Sequence, residues 1–231
     1  MVYDRSVVPT GATIGAVMRL PVSGAIALGL CIALAAGCTD GIHLPTEASS
    51  DPDLPPPLDA AAAQELFDTF DPADPAALSI LAAHRSEQAV LDLAAHELAS
   101  GATGSVLWAA AFVWVNEGAD AEPLVALLAA DDAVIRAMAA TGLIGRGRPE
   151  GFETLFALLT DDTPTPGAPL SQVWVDATIA LARFTGIGEL GPALDATPAQ
   201  REAARQRWQA WFDANRDGLT FNREEALWVV A

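Results

Sequence analysis

An internal repeat constrains the fold of this chain more than any other feature of its sequence. Two copies of one unit follow each other, and each holds a short apolar segment, an Asp-Asp pair and an Ala-rich segment that ends in glycine. The first copy spans residues 123–145 and the second spans 152–186, and the equivalent residues Leu128 and Leu159 lie 31 positions apart. Apolar residues recur at helical spacing in both, so each copy predicts two helices joined by a turn. Such a unit buries its apolar face only by stacking on a neighbour.

The longer helices of the copies share one face of apolar and small residues. The matching sets are Ile135, Ala139 and Leu143; Val173, Ala177 and Leu181; and, in a less similar earlier copy from Ser105 to Glu117, Val106, Ala110 and Trp114. Steps of four and eight place each set on one side of its helix, where alanine allows close stacking. We expect Asp132 to cap the helix that follows it, with Arg136 one turn on. Gly145 and Gly186 are predicted to end their helices.

The stretch LLAADDAVIRAMAATGLIG resembles the short HEAT-like repeats first noted in phycobilin lyase-related proteins. It closely matches their pattern L-L-x-x-x-D-x-x-V-R-x-x-A-A, and the resemblance covers about residues 86–186. It implies an all-α fold, a short HEAT-like helical-repeat solenoid; a generic helical bundle is the alternative. Trp174 and Leu107 replace the arginine of the pattern in the other copies, so a continuous Asp–Arg ladder is not expected. Lyase activity is not implied, because a repeat architecture does not transmit chemistry.

Two segments around the repeats carry separate expectations. The helix from Ser105 to Val115 is apolar on every side, which predicts a central, fully covered position, and it is too short to span a membrane. The segment from Thr160 to Ser171 interrupts the last repeat with three prolines and predicts a stiff, exposed loop. That loop is either a binding loop on a rigid scaffold or a tolerated insertion.

The C-terminal region, residues 187–231, is expected to close the stack. Thr197, Pro198 and Gln200 form a strong helix start with a capping box. The helix then presents an aromatic face, made of Ala204, Trp208, Trp211 and Phe212. We interpret this face as the packing surface of an aromatic capping helix, and a platform for a sugar or a partner is the alternative.

Residues 213–224 match the calcium-binding loop of EF-hand proteins at every specified position. The candidate oxygen ligands are Asp213, Asn215, Asp217, the carbonyl of Leu219, and Glu224. Thr220 and Arg216 depart from the usual loop, and no second loop is available to pair with it. The alternative is a helix-ending turn at Asn215 and Gly218 that leads to a short extended tail, Leu227 to Val230.

The N-terminus is predicted to direct the chain to a membrane. Residues Leu20 to Ala36 contain no charge, and the run Leu-Ala-Ala-Gly before Cys38 resembles the signal peptide and lipobox of bacterial lipoproteins. The resemblance implies removal of residues 1–37, with a true start possible at Met18, and acylation of Cys38 by chains such as palmitate. Cys31 is a poor competitor because bulky Leu30 precedes it. The alternative is an uncleaved anchor helix, and either version tethers the chain to a membrane.

Residues 38–57 form a polar, proline-rich tether between this anchor and the repeats of residues 58–186. At about 3.1 Å per residue it could hold the body roughly 60 Å from the bilayer. Thr39 follows Cys38, and an Asp at this position tends to retain lipoproteins in the inner membrane. Because threonine occupies it here, the outer membrane is favoured. Cys38 is the only cysteine that remains after cleavage, so no disulfide within the chain is expected.

The formal net charge of −18 includes no lysine, which argues against nucleic acid and anionic lipid headgroups as partners. Divalent cations and basic partners remain compatible with it. His84 and His96 lie far apart, and no Gly-rich phosphate loop, nucleophile elbow or Cys–His pair is present. The sequence therefore predicts a lipid-anchored, non-enzymatic module of the cell envelope that binds a protein or peptide without a cofactor. A calcium-binding protein is the alternative, and an enzyme with an acidic cleft is a third.

Overall fold

A computed structural model describes residues 57–168 and 171–231 of the chain. The predicted signal peptide, Cys38 and nearly all of the tether lie outside the described residues. Within them the protein is mostly helical, with nine α-helices followed by a small hairpin. The helices are α1 Ala60–Asp68, α2 Pro75–His84, α3 Gln88–Ser100, α4 Gly104–Glu117, α5 Glu122–Leu127, α6 Ala133–Gly145, α7 Gly151–Leu158, α8 Val173–Thr185 and α9 Pro198–Asn215. The strands are β1 Leu219–Asn222 and β2 Leu227–Val230.

Consecutive helices pack in pairs. Helix α3 packs on α4, α5 packs on α6, and α7 lies between α6 and α8. The longer helices α4, α6 and α8 also contact one another in that order, while α1 packs against α3 and α4 at one end and α9 against α7 at the other. The two predicted copies of the repeat thus correspond to the α5–α6 and α7–α8 pairs. Each of the described helices is too short or too polar to cross a membrane.

Side chains at the predicted capping positions start the helices. The carboxylate of Asp132 accepts a hydrogen bond from the backbone N–H of Val134 at 2.7 Å, which confirms it as the cap of α6. Thr197 and Gln200 form the predicted capping box of α9, with a proline in the first turn. These starts are encoded within four residues, so the sequence specifies them locally.

The two predicted helix ends differ from each other. Gly186 ends α8 in the left-handed conformation, with φ at 70°, as expected. Gly145 instead stays inside α6, and the left-handed residue is Gly147, with φ at 76°. The N–H groups of Gly147 and Arg148 then donate to the carbonyls of Ile144 and Leu143, as in a Schellman motif. The prediction for Gly145 was wrong by two residues.

Helix α4 lies at the centre of the N-terminal half, as its all-round apolar sequence predicts. Trp108, Phe112 and the residues between them are buried. The Trp108 ring stacks between Phe70 and Phe112, at centroid distances of 5.4 and 5.7 Å. This aromatic column joins α4 to the turn after α1.

The aromatic face of α9 is core, not an exposed platform. Ala204, Trp208 and Phe212 are buried, and Trp211 is partly buried against them. Phe152 and Phe156 of α7 meet these rings, for example Phe156 and Trp208 at 6.3 Å. Helix α9 therefore covers the apolar side of α7.

The chain ends in an antiparallel hairpin that pairs Leu219 with Val230 and Asn222 with Leu227. The extended tail is confirmed, and the strand opposite it was not predicted. Trp228 anchors the hairpin, because its Nε1 donates to the carbonyl of Ile144 at 2.9 Å in a buried position. That carbonyl lies in the last turn of α6, so the hairpin covers the end of the central helix.

Candidate functional site

The EF-hand-like residues lie on four different structural elements. Asp213 and Asn215 belong to the last turn of α9, Asp217 to a short 3₁₀ turn, Leu219 begins β1, and Glu224 lies in the hairpin turn. The Asn215 side chain is already engaged, since its Nδ2 donates to the carbonyl of Trp211 at 2.6 Å. The carboxylate of Asp213 accepts from Gln209 at 3.3 Å.

A strand follows this loop where an EF-hand has its second helix. Residues 219–222, which are positions 7–10 of the matched loop, pair with the C-terminal strand. Among the described residues, no group of three or more His, Cys, Asp or Glu side chains is placed to hold a metal ion. The carboxylates of Asp213, Asp217 and Glu224 are therefore not grouped as a metal site in this arrangement.

The described residues of the Thr160–Ser171 segment, 160–168 and 171, are folded back and partly buried, which differs from the exposed loop that the prolines predict. Asp176 of α8 is the reason, because its two carboxylate oxygens accept hydrogen bonds from Thr165 Oγ1 at 2.6 Å and Ser171 Oγ at 3.0 Å. The backbone closes the same loop, with Thr165 N–H donating to the Ser171 carbonyl. Thr165 is only 3 % exposed. Among the described residues of the segment, Thr160 and residues 162–164 are exposed, and we refer to residues 162–164 as its exposed part.

A buried arginine meets that exposed part. Arg201 of α9 is 4 % exposed, and its two terminal nitrogens donate to both oxygens of Asp162 at 2.5 and 3.0 Å. Its guanidinium carbon also lies 5.0 Å from the ring centroid of Trp174. The hydrogen bonds from Arg201 hold the pKa of Asp162 below its usual range. The pair ties the loop rigidly to the last helix.

The second copy of the repeat has no arginine at the position equivalent to Arg136, and Arg201 supplies a positive charge there. In the first copy, Arg136 donates to the carbonyls of Ala130 and Asp131 at 2.8 Å and reaches a carboxylate oxygen of Asp161 at 3.6 Å. Trp174 takes the equivalent position in the second copy. Arg201 was not predicted as a site residue. Its position three residues before Ala204, on the apolar face of the helix, could have indicated a buried arginine.

A second buried polar group lies where the tether meets the body. His84 is 6 % exposed, and its Nδ1 lies 2.6 Å from Glu87 Oε1. The other oxygen of Glu87 accepts from the backbone N–H of Leu58 at 2.6 Å. Glu87 therefore fixes the first residues after the proline run, while His96 lies exposed on α3.

The chain matches no known protein-family model, and comparisons with curated proteins and with solved structures also return no match.

Proposed function

We propose that this protein is a lipid-anchored, non-enzymatic scaffold or protein-binding module of the bacterial cell envelope, built from short HEAT-like repeats. Cys38 would carry the acyl chains, with the outer membrane as the favoured location. Residues 38–57 would act as the spacer and the helical body would present the binding surface. The observation that carries the proposal is the consecutive packing of the helix pairs, in a chain whose N-terminus resembles a lipobox.

Contacts between successive pairs support a repeat stack over an irregular bundle. The α4, α6 and α8 helices contact one another in chain order. Arg146 at the end of α6 donates to the carbonyls of Trp114, Val115 and Gly118, which close the end of α4. Arg136 bridges from α6 to Asp161, which follows α7. In a solenoid, each unit is stabilised by interfaces of this kind with its neighbours.

Rigid anchoring of the Thr160–Ser171 segment supports a binding role for its exposed part. Asp176 and Arg201 hold the segment from two different helices. A preorganised loop loses little conformational freedom when a partner binds, so more of the contact energy appears as affinity. The face of the stack is the other candidate surface for a protein or peptide.

The anchor is tested by metabolic labelling with a clickable palmitate analogue and by membrane fractionation. We expect Cys38→Ala to lose the lipid label and to leave the lipoprotein fraction. Cys31→Ala is the matched control, because it removes the neighbouring cysteine and should leave the label intact. A wild-type protein without acyl chains would refute the anchored part of the proposal.

The binding role is tested by photo-crosslinking in intact cells. A photoreactive amino acid at the exposed Thr163 reports on the loop, and one at the partly exposed Gln209 of α9 serves as the control position. A partner that depends on position 163 and is identified by mass spectrometry would support the proposal. Failure to recover any partner from either position or from the stack face would count against a binding module.

The calcium alternative is supported by the sequence match of residues 213–224 alone. Isothermal titration of the purified protein with calcium decides it. Heat at millimolar calcium that disappears in Glu224→Gln would establish the site, because position 12 supplies the bidentate carboxylate of an EF-hand loop. No heat at millimolar calcium would reject it.

A further inference from the structure

The negative charge of the protein is unevenly distributed along the chain. Residues 57–132 contain 13 Asp and Glu residues against a single arginine, Arg85, which pairs with Glu117. Residues 133–231 contain 12 acidic residues against nine arginines. The body is therefore nearly balanced in its C-terminal half and strongly anionic over α1–α5, which creates a field that attracts cations to one end.

Helix α2 interrupts this anionic half with an uncharged, exposed face. Ala76, Ser79, Ile80 and Ala83 lie at helical spacing on one side of α2, and all four are exposed. Ile80 is 50 % exposed. The other large apolar side chains that are exposed in the described part of the chain all follow residue 190. Leu81 and His84 hold the opposite side of the helix in the core.

Carboxylates without an arginine partner precede this face. Asp68, Asp71 and Asp74 lie in the seven residues before α2 and are exposed. The described ion pairs do not include them; Asp71 and Asp74 accept only backbone N–H groups, from Ala73 and Ala76. Asp68 accepts from Gln64 at 3.0 Å, and the three carboxylates present their charge to solvent in the segment that leads into α2.

On this basis we propose that the exposed face of α2 docks a basic, amphipathic helical segment of a protein partner. This inference rests on the proposed binding function and names the surface and the chemistry of the ligand. Apolar residues of the partner would cover Ile80, with Ala76 and Ala83 allowing close approach of the two helices. Its Lys or Arg residues would face Asp68, Asp71 and Asp74, which gives the complex orientation and a salt-dependent association rate.

The other possible occupants fit less well. A second copy of the chain would bring one anionic half against another, and like charges facing each other across an interface are unfavourable. The apolar segment Leu20 to Ala36 carries no positive charge to meet the carboxylates. Charge complementarity therefore favours a basic partner over both.

The test uses the lipidated protein in nanodiscs of phosphatidylcholine and a designed probe. The probe is a peptide of Leu and Lys at helical spacing that carries one benzoyl-phenylalanine for photo-crosslinking. A peptide with Glu in place of Lys and a permuted peptide without an apolar face are its controls. Adduct formation on the protein separates binding by the protein from binding to the lipid, and proteolysis with mass spectrometry locates the adduct.

We expect adducts within residues 60–84 and loss of the adduct at raised salt. Ile80→Ser, and separately the triple change Asp68→Asn, Asp71→Asn and Asp74→Asn, should weaken binding about tenfold. Asparagine retains the side-chain oxygens that accept from Ala73 and Ala76, so the turn before α2 should persist. The matched control, Glu153→Gln with Glu189→Gln and Asp195→Asn, makes the same change of charge in the C-terminal half and should alter binding less than about twofold.

Adducts elsewhere, equal effects of the two triple variants, equal binding of the Glu peptide, crosslinks between two copies, or no adduct at all would each overturn the docking proposal. These outcomes are distinct from a failure of the proposed function. The latter is measured by acylation of Cys38 and by crosslinking from Thr163, and both positions lie outside α2.

Discussion

At the scale of single residues, Gly147 shows how one position joins two parts of the fold. Its φ of 76° ends α6, and a Cβ at this position would lie 2.8 Å from Cδ1 of Phe221 in β1. Gly101 has the same backbone conformation, with φ at 77°, and open space around it. The two glycines therefore separate the cost of the left-handed conformation from the cost of crowding.

We expect Gly101→Ala to lower the free energy of unfolding by about 1–2 kcal/mol, the cost of the left-handed conformation for an L-residue. Gly147→Ala should lower it further, by about 1–3 kcal/mol for overpacking against Phe221. Urea denaturation of both variants measures the difference. Equal losses would show that Phe221 yields without cost and that the hairpin is not packed firmly on the end of α6.

The pair of Asp162 and Arg201 makes stability depend on pH. The pKa of Asp162 is lowered by hydrogen bonds from Arg201, so the folded state binds this proton less readily than the unfolded state. The stabilisation is therefore complete above the ordinary carboxyl pKa of 3.8 and is lost as the pH falls through the lowered value. Asp162→Asn should reduce the melting temperature at pH 7 and approach wild type in acid.

Thermal unfolding of both proteins between neutral pH and pH 2 measures this dependence. Glu153→Gln is a suitable control, because Glu153 is exposed on α7 and takes part in none of the described ion pairs. A constant difference between wild type and Asp162→Asn at every pH would contradict the ion pair as its source.

At the scale of elements, local signals were predictable and distant pairings were not. The start of α6 at Asp132 and the capping box of Thr197 depend on atoms within three residues of each other. The bond from Trp228 to Ile144 joins residues 84 positions apart, and the pair of Asp162 and Arg201 spans 39. No periodicity encodes such partners, so both the role of Arg201 and the strand opposite the tail were missed.

The hairpin illustrates how such a distant pairing alters a motif. The loop sequence from Asp213 to Glu224 satisfies a calcium pattern locally, yet β1 within it pairs with β2. The rings of Phe221 and Trp228, whose centroids lie 5.5 Å apart, then pack together at the end of α6. Burial of these aromatic rings is a tertiary effect that a local motif does not include.

We predict that the indole nitrogen of Trp228 holds this element in place. Trp228→Phe keeps an aromatic ring and removes the indole donor from the buried carbonyl of Ile144, which then accepts from backbone N–H groups alone, so the change should cost about 0.5–1.5 kcal/mol of unfolding free energy. Trp114→Phe removes a similar bond, from Nε1 to the Asp120 carbonyl at 2.8 Å, at an exposed position. Water can replace that donor, so its loss should be smaller.

Urea unfolding of the two variants gives the comparison, and near-ultraviolet circular dichroism reports whether the aromatic cluster persists. If Trp114→Phe costs as much as Trp228→Phe, the loss of ring volume explains both, and the hydrogen bond to α6 contributes nothing measurable.

At the scale of the whole molecule, the repeat predicted the order of the helices and their pairing, and it did not predict the closure of the Thr160–Ser171 segment. That segment reaches back to the N-terminal half, since a Cβ on Gly167 would lie 3.4 Å from Cδ2 of Leu78 in α2. A contact between the last repeat and the second helix is not a property of any one unit. It follows from how the helices pack in three dimensions.

The burial of the helices predicts how the molecule opens. Ten residues of α6 are buried, whereas α2 buries only Leu81 and His84. Local opening of α2 exposes little apolar surface, so its amide hydrogens should exchange at a free energy well below that of global unfolding. The amides of α6 should report the global value, about 5–15 kcal/mol for a domain of ordinary stability.

Native-state hydrogen exchange measured by mass spectrometry at several urea concentrations checks this order. We expect α2 to exchange first and independently of urea, and α6 to exchange last with the full urea dependence of unfolding. An early opening of α2 would expose Leu78, Leu81 and the inner side of this helix. A partner bound on the face that carries Ile80 should therefore slow exchange of the α2 amides. If α2 and α6 instead showed the same free energy of exchange and the same urea dependence, the helical body would unfold as a single unit. Helix α2 would then not open independently of α6.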